Sequence, residues 1–161
     1  MKPATILLLN RRGAVVGSAL IDKDDLEFLN QWQWCLSPNG YAVRFDTQQG
    51  RQIYMHRAVM GFKPGDGRLV DHSNRNRLDN QRENLREATP AGNSQNCGAR
   101  AGSTSRYRGV SWDKRQRCWR AVAQLNRRYI EIGPYDDELE AAQAVSEWRS
   151  EHMPFSTEAA A

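Results

Sequence analysis

The chain has 161 residues, 39% of them hydrophobic and 26% charged, with a net charge of +4. That balance suits one ordinary or two small soluble domains and excludes a disordered chain. The longest apolar stretches, Ile6–Leu9 and Ala14–Ile21, are too short to span a bilayer. Three scattered cysteines, Cys35, Cys97 and Cys118, offer neither a disulfide framework nor a four-ligand zinc site. No basic-then-apolar leader is visible, so a cytoplasmic location is expected.

Residues 1–52 read as a small β-rich packing region. Ile6–Leu9 and Ala14–Ile21 flank Arg12-Gly13 as a hairpin. Asp22–Trp34 reads as a short helix capped by Asp22, with Leu26, Leu29 and Phe28 turned inward. Asn39-Gly40 marks a turn into a strand, Tyr41–Phe45.

Residues 53–97 are rich in His, Asn, Asp and Arg. Leu69-Val70-Asp71-His72 is a short apolar run that ends in two side chains able to bind metal or move protons. A loop, Ser73–Glu83, leads to a second strand, Asn84–Ala88. Thr89-Pro90 then starts a helix, with Thr at the cap and Pro at the first helical position. Asn93 and Asn96, three apart, share one face of it.

Strand, loop, strand and helix, with Asp-His at the first strand's end and Asn on the helix, resemble the ββα-metal motif of HNH nucleases. The string VDHSNRNRLDNQRENLREATPAGNSQN and the upstream YMHRAVMGF are similar to the phage and homing-endonuclease branch of that superfamily. The resemblance implies a DNA endonuclease in a bacterial or phage-infected cell. It implies that His72 deprotonates a water and that Asn84 fixes the orientation of His72. Asp71 and Asn93 would hold one divalent ion. Oxygen ligands of this hard type suit Mg2+, or Mn2+, better than zinc. Arg75, Arg77 and Arg86 are the candidate phosphate clamps. Many HNH proteins carry His where Asn93 stands, so the ligand set departs from the family's commonest pattern. Asn80 and Asp79 are expected to build the loop turn, Asn96 to end the helix, and His56 to have a structural role.

A small-residue linker, residues 98–105, precedes a third part at 106–154, with a tail at 155–161. From Arg100 to Arg128, nine Lys or Arg residues face a single acid, Asp113, a distribution suited to a phosphate backbone. Tyr107–Trp112, Cys118–Leu125 and Arg128–Ile132 read as strands, and Glu138–Trp148 as a helix with Leu139, Ala142, Val145 and Trp148 at helical spacing. Arg106-Tyr107-Arg108-Gly109-Val110, Trp119-Arg120-Ala121, Ile132-Gly133-Pro134-Tyr135 and Glu140-Ala141-Ala142 resemble the Apetala-two/ethylene-response DNA-binding domain, a three-stranded sheet backed by one helix. The resemblance implies a sheet laid into the major groove, with contacts from Arg106, Arg108, Trp112, Lys114, Arg117, Arg120, Gln124 and Arg128. Alternation turns Trp119, Ala121 and Ala123 toward the helix and Arg120, Val122 and Gln124 outward. Glu131, on the outward face, either reads a cytosine amino group or tilts away.

The expectation is therefore an α+β protein: an HNH core with an N-terminal β-rich region and a C-terminal groove-reading sheet. It would bind double-stranded DNA as a monomer or homodimer, with no obligate protein partner and no membrane. The alternative is a non-catalytic, sequence-specific DNA-binding regulator on a retained HNH scaffold.

Overall fold

A computed structural model describes residues 3–63 and 65–156 as a mixed α+β chain. It divides into two compact units, Met1–Ala88 and Thr89–Ala161.

In the first unit, β1 (Pro3–Leu9) and β2 (Val15–Asp22) form an antiparallel hairpin. Asn10 builds its turn by accepting the backbone N–H groups of Arg12 and Ala14, and Gly13 supplies the positive φ of 78°. β3 (Trp34–Leu36) runs parallel to β1, followed by β4 (Ala42–Asp46) and β5 (Arg51–Tyr54), in the order β2-β1-β3-β4-β5. Period-two alternation buries Ile6 and Leu8 while Thr5 and Leu7 face out. With Ala19, Ile21, Leu29, Trp34 and Met55 they form the core, each large apolar side chain contributing about 1.5–3 kcal/mol by its burial. The buried indole of Trp34 donates to Leu29 O at 2.8 Å, which removes the cost of an orphaned N–H.

The expected helix over 22–34 is shorter. A 3-10 turn, Lys23–Asp25, leads into one α turn, α1 (Leu26–Leu29), and Trp34 already belongs to a strand. Asp22 makes no cap; its carboxylate accepts the backbone N–H of Arg82 at 2.9 Å. Phe28 turns outward, 43% exposed, edge-on to Trp32. After α2 (Met55–Val59), a two-stranded ribbon of β6 (Leu69–His72) and β7 (Leu85–Ala88) pairs Asp71 with Arg86 and His72 with Leu85.

The second unit begins with α3 (Pro90–Gln95), whose Thr89 cap accepts from Gly92 N at 3.0 Å. β8 (Val110–Asp113), β9 (Cys118–Leu125) and β10 (Arg128–Tyr135) form an antiparallel sheet, order β10-β9-β8, backed by α4 (Glu138–His152). Asp137 caps α4 through Leu139 N and Glu140 N. Small residues let helix and sheet approach: Ala121 and Ala123 face Ala141, Ala142 and Val145 in the core. Leu139, expected inward, is 51% exposed, because Ala141 takes the buried position. Gly109 is required where it stands. Its φ is +83°, and a Cβ there would lie 2.4 Å from the Val122 carbonyl oxygen.

Candidate active site and nucleic-acid face

The first unit buries the residues expected to carry chemistry. Asp71 and His72 are 7% and 5% exposed at the end of β6, and Asn84 and Asn80 are buried beside them in the chain that returns to β7. Pairing with β7 fixes their directions. The Arg86 guanidinium donates from Nε and Nη2 to Asp71 Oδ2 at 3.0 and 2.8 Å, so Arg86 orients the carboxylate.

The loop between the strands is pinned at many points. Leu20 N donates to Leu78 O, and Asn80 N donates to Leu20 O at 2.7 Å, so the loop runs against β2. Arg82 donates its guanidinium to Asp25 while its backbone N–H meets Asp22. The five-stranded sheet therefore holds the loop in place. Asn84 spends its amide on the loop itself: Nδ2 donates to Asp79 O at 2.8 Å and Oδ1 accepts from Asn74 N at 2.9 Å. Asn80 reaches the His72 ring, with its Oδ1 3.4 Å from Nε2. With Asn80 accepting, the imidazole carries its proton on Nε2 and its lone pair on Nδ1.

An aromatic wall completes this centre. His56, on α2, meets His72 edge-on with ring centroids 5.1 Å apart. Tyr41 lies 5.3 Å from His56 and 5.9 Å from His72, and Tyr54 lies 5.4 Å from His56. Tyr54 opens the YMHRAVMGF string and Tyr41 an expected strand, but their packing around His56 is visible only in the fold. The His72 pKa is lowered, chiefly because burial disfavours the imidazolium; Asn80, Asp71 and Asp79 act against that effect and Arg77 adds to it. His56 is pushed down to about 3, first by burial, then by His72 and Arg57. Its Nδ1 is buried without a hydrogen-bond partner among the described residues.

Arg75 is exposed at φ 62° on the loop, and Arg77 sits over the Tyr41 ring at 4.9 Å while donating to Asn39 O. Asn93 is exposed on α3 of the second unit, and Asn96 is buried at that helix's C-cap. Among the described residues, no group of three or more His, Cys, Asp or Glu could hold a metal ion.

In the second unit the expected contact residues divide. Arg106, Lys114, Arg117, Gln124 and Arg128 are exposed. Arg120 pairs with Glu131 at 2.7 Å and lies 3.8 Å from Asp113, so Glu131 does stand on the Arg120 face. Trp112 lies opposite Trp119 in register, with rings 5.2 Å apart, on the face that packs toward α4. Arg108 turns to the end of α3, donating to the carbonyl oxygens of Ser94, Gln95 and Cys97. The Ser94 and Gln95 oxygens are among the carbonyls that a helix C-terminus leaves unpaired. Among the described residues, no helix is long and apolar enough to cross a membrane.

Residues 53–95 match the HNH endonuclease family model. That HNH span takes in His56, Asp71, His72, Asn84 and Asn93. An uncharacterised HNH endonuclease of Acanthamoeba polyphaga mimivirus is 37% identical over 81 residues, covering 48% of this chain and 42% of that protein. Protein 3.8 of Escherichia phage T7 is 37% identical over 72 residues, covering 45% of this chain and 59% of its own length. The chain thus spans about half the length of these curated relatives. No solved structure matches the chain.

Proposed function

We propose that the chain is a metal-dependent HNH endonuclease that hydrolyses phosphodiester bonds in duplex DNA, nicking or cutting both strands in the homing manner. One observation carries the reading: Asp71 and His72, both within the HNH span, are buried together at the end of β6, with His56 and Tyr41 against the His72 ring.

His72 is the general base. Its lowered pKa leaves it unprotonated at neutral pH, ready to take a proton from the attacking water. Asn80 sets its tautomer, and Asn84 acts one step back by holding the loop. Arg75 and Arg77 meet the negative charge of the phosphate, and Arg86 holds Asp71 as well as serving as a clamp. By the HNH resemblance, the Asp71 carboxylate and the Asn93 amide oxygen would serve as metal ligands, and hard oxygen donors of this type would suit Mg2+ or Mn2+ better than zinc. When bound, such an ion neutralises charge on the scissile phosphate and the departing oxygen. The C-terminal sheet, on the Apetala-two resemblance, targets the nuclease to its sites, with Arg106, Lys114, Arg117, Gln124 and Arg128 as its available contacts.

The second reading, a non-catalytic DNA-binding regulator, draws on the Asp71–Arg86 ion pair, which gives that carboxylate a structural use. Nicking of supercoiled plasmid in Mg2+ decides between them. The parent chain is expected to nick, and His72→Ala to lose at least about a hundredfold in rate while still binding duplex. Equal cutting by parent and variant would sink the mechanism; no cutting by the parent with Mg2+ or Mn2+ would favour the regulator.

A further inference from the structure

The outward face of the C-terminal sheet is electrostatically uneven. Around the middle of β9, Arg120 is neutralised by Glu131 and Asp113. Beyond the point where β8 begins its pairing at Val110, a groove of about 750 Å3 opens between β9 and chain segment 94–103. All four charged residues lining it are arginines: Arg100, Arg108, Arg127 and Arg149. Arg108 is committed to carbonyls and Arg149 donates to the Arg108 carbonyl, whereas Arg100 and Arg127 are exposed. At the rim Tyr129 stands across from Gln124 in register, 72% exposed, more than any other large hydrophobic side chain among the described residues.

We propose that this groove is a binding site for unpaired DNA, taking one or two nucleotides of a single strand. A base stacks on Tyr129, and the neighbouring phosphates meet Arg127 and Arg100. Arginines alone attract any polyanion, and the size and the tyrosine narrow the choice. The volume falls within the ~300–1,000 Å3 of clefts that enclose small organic ligands, so an unstacked nucleotide enters and a duplex does not. A duplex also hides its base faces in its own stack, whereas every unpaired base offers a π-face to an aromatic ring. The Tyr129 ring has so little packing of its own that a stacked base would be its main contact. The site lies wholly within the second unit and is independent of the nuclease chemistry.

The test is fluorescence anisotropy of the full chain with a labelled thymidine oligomer and with a duplex of the same length, both in EDTA so that metal-dependent cleavage does not intervene. The parent is expected to bind the single strand. Tyr129→Ala should weaken that binding about tenfold or more, the effect of losing a base–aromatic stack, with duplex binding changed less than about twofold. Tyr129→Trp should restore it. Arg127→Asn, which tolerates the φ of 64° at that turn, should flatten the single-strand salt slope by about 0.7. Failure of the parent to bind the thymidine oligomer would overturn the proposal. So would an equal loss on duplex, or tighter binding of a uridine oligomer.

Discussion

At the residue scale, the centre is built by neighbours that sit far from His72 in sequence. Asn80 reaches the ring because its backbone is tied to Leu20 on β2, sixty residues earlier in the chain. Asp71-His72 and the Asn residues around them were legible as a pattern, since residue types at spaced positions survive without coordinates. The division of labour among the asparagines was not legible: Asn80 and Asn84 lie in one short loop, and only its path decides which amide meets the imidazole. Asn80→Ala should therefore lower kcat about tenfold by freeing the ring to turn, with KM for DNA little changed; plasmid nicking at saturating DNA measures it. If Asn84→Ala lowered kcat without lowering thermal stability, while Asn80→Ala did neither, that assignment would be reversed. Buried His56 gives a second prediction, for stability. Its folded pKa of about 3 lies below the unfolded value of 6.5, so the unfolded chain binds the extra proton. The contribution is fully present above pH 6.5 and is lost progressively as pH falls toward 3. His72 and Arg57 oppose charging of His56, and Tyr41 and Tyr54 pack against its ring. Urea midpoints measured between pH 7 and 4.5 should fall steeply for the parent and less so for His56→Leu.

At the element scale, alternating strands and capped helices such as α3 and α4 were legible, whereas the short strands β3 and β5 were not. The β1–β2 hairpin and the β9 and β10 runs announce themselves by alternation and by turn residues such as Asn10-Arg11-Arg12-Gly13. The helical reading of 22–34 overreached because apolar residues at helical spacing there serve two different elements, a single helical turn and a strand whose Trp34 is anchored back to Leu29. Arg108 shows the same limit for a side chain. Its place in a basic run suggested phosphate, whereas the fold sets it against three carbonyls at the end of α3. Gly109, next to it, tests how closely that corner is fitted. Gly109→Ala combines a left-handed backbone with a backbone clash and should destabilise by about 2–4 kcal/mol. Gly102→Ala has a similar φ of +78° but no heavy atom within 4 Å, and should lose only about 1 kcal/mol. Thermal melts of the two variants side by side check the contrast; equal losses would mean that the Val122 carbonyl yields.

At the scale of the whole molecule, a net charge of +4 understates how the cations are spread. Five of the nine cations from Arg100 to Arg128 cluster at the two ends of β9, Lys114, Arg115 and Arg117 at one and Arg127 and Arg128 at the other. Between them, Arg120 is held by Glu131 and Asp113, and Arg108 is consumed by backbone. Nine cations in the sequence thus amount to seven available for phosphate, and duplex binding through this run should show a log–log salt slope no steeper than about −6. Glu131→Gln is the sharper test. Removing that carboxylate releases Arg120 toward the duplex, so binding should tighten and the slope steepen by about 0.9, one further phosphate contact. Arg108→Ala, by contrast, should leave the slope unchanged while lowering the melting temperature. A Glu131→Gln variant that bound more weakly, and only at sites rich in cytosine, would instead mean that the carboxylate reads a base, because a lost base contact removes sequence preference without changing the counterions released.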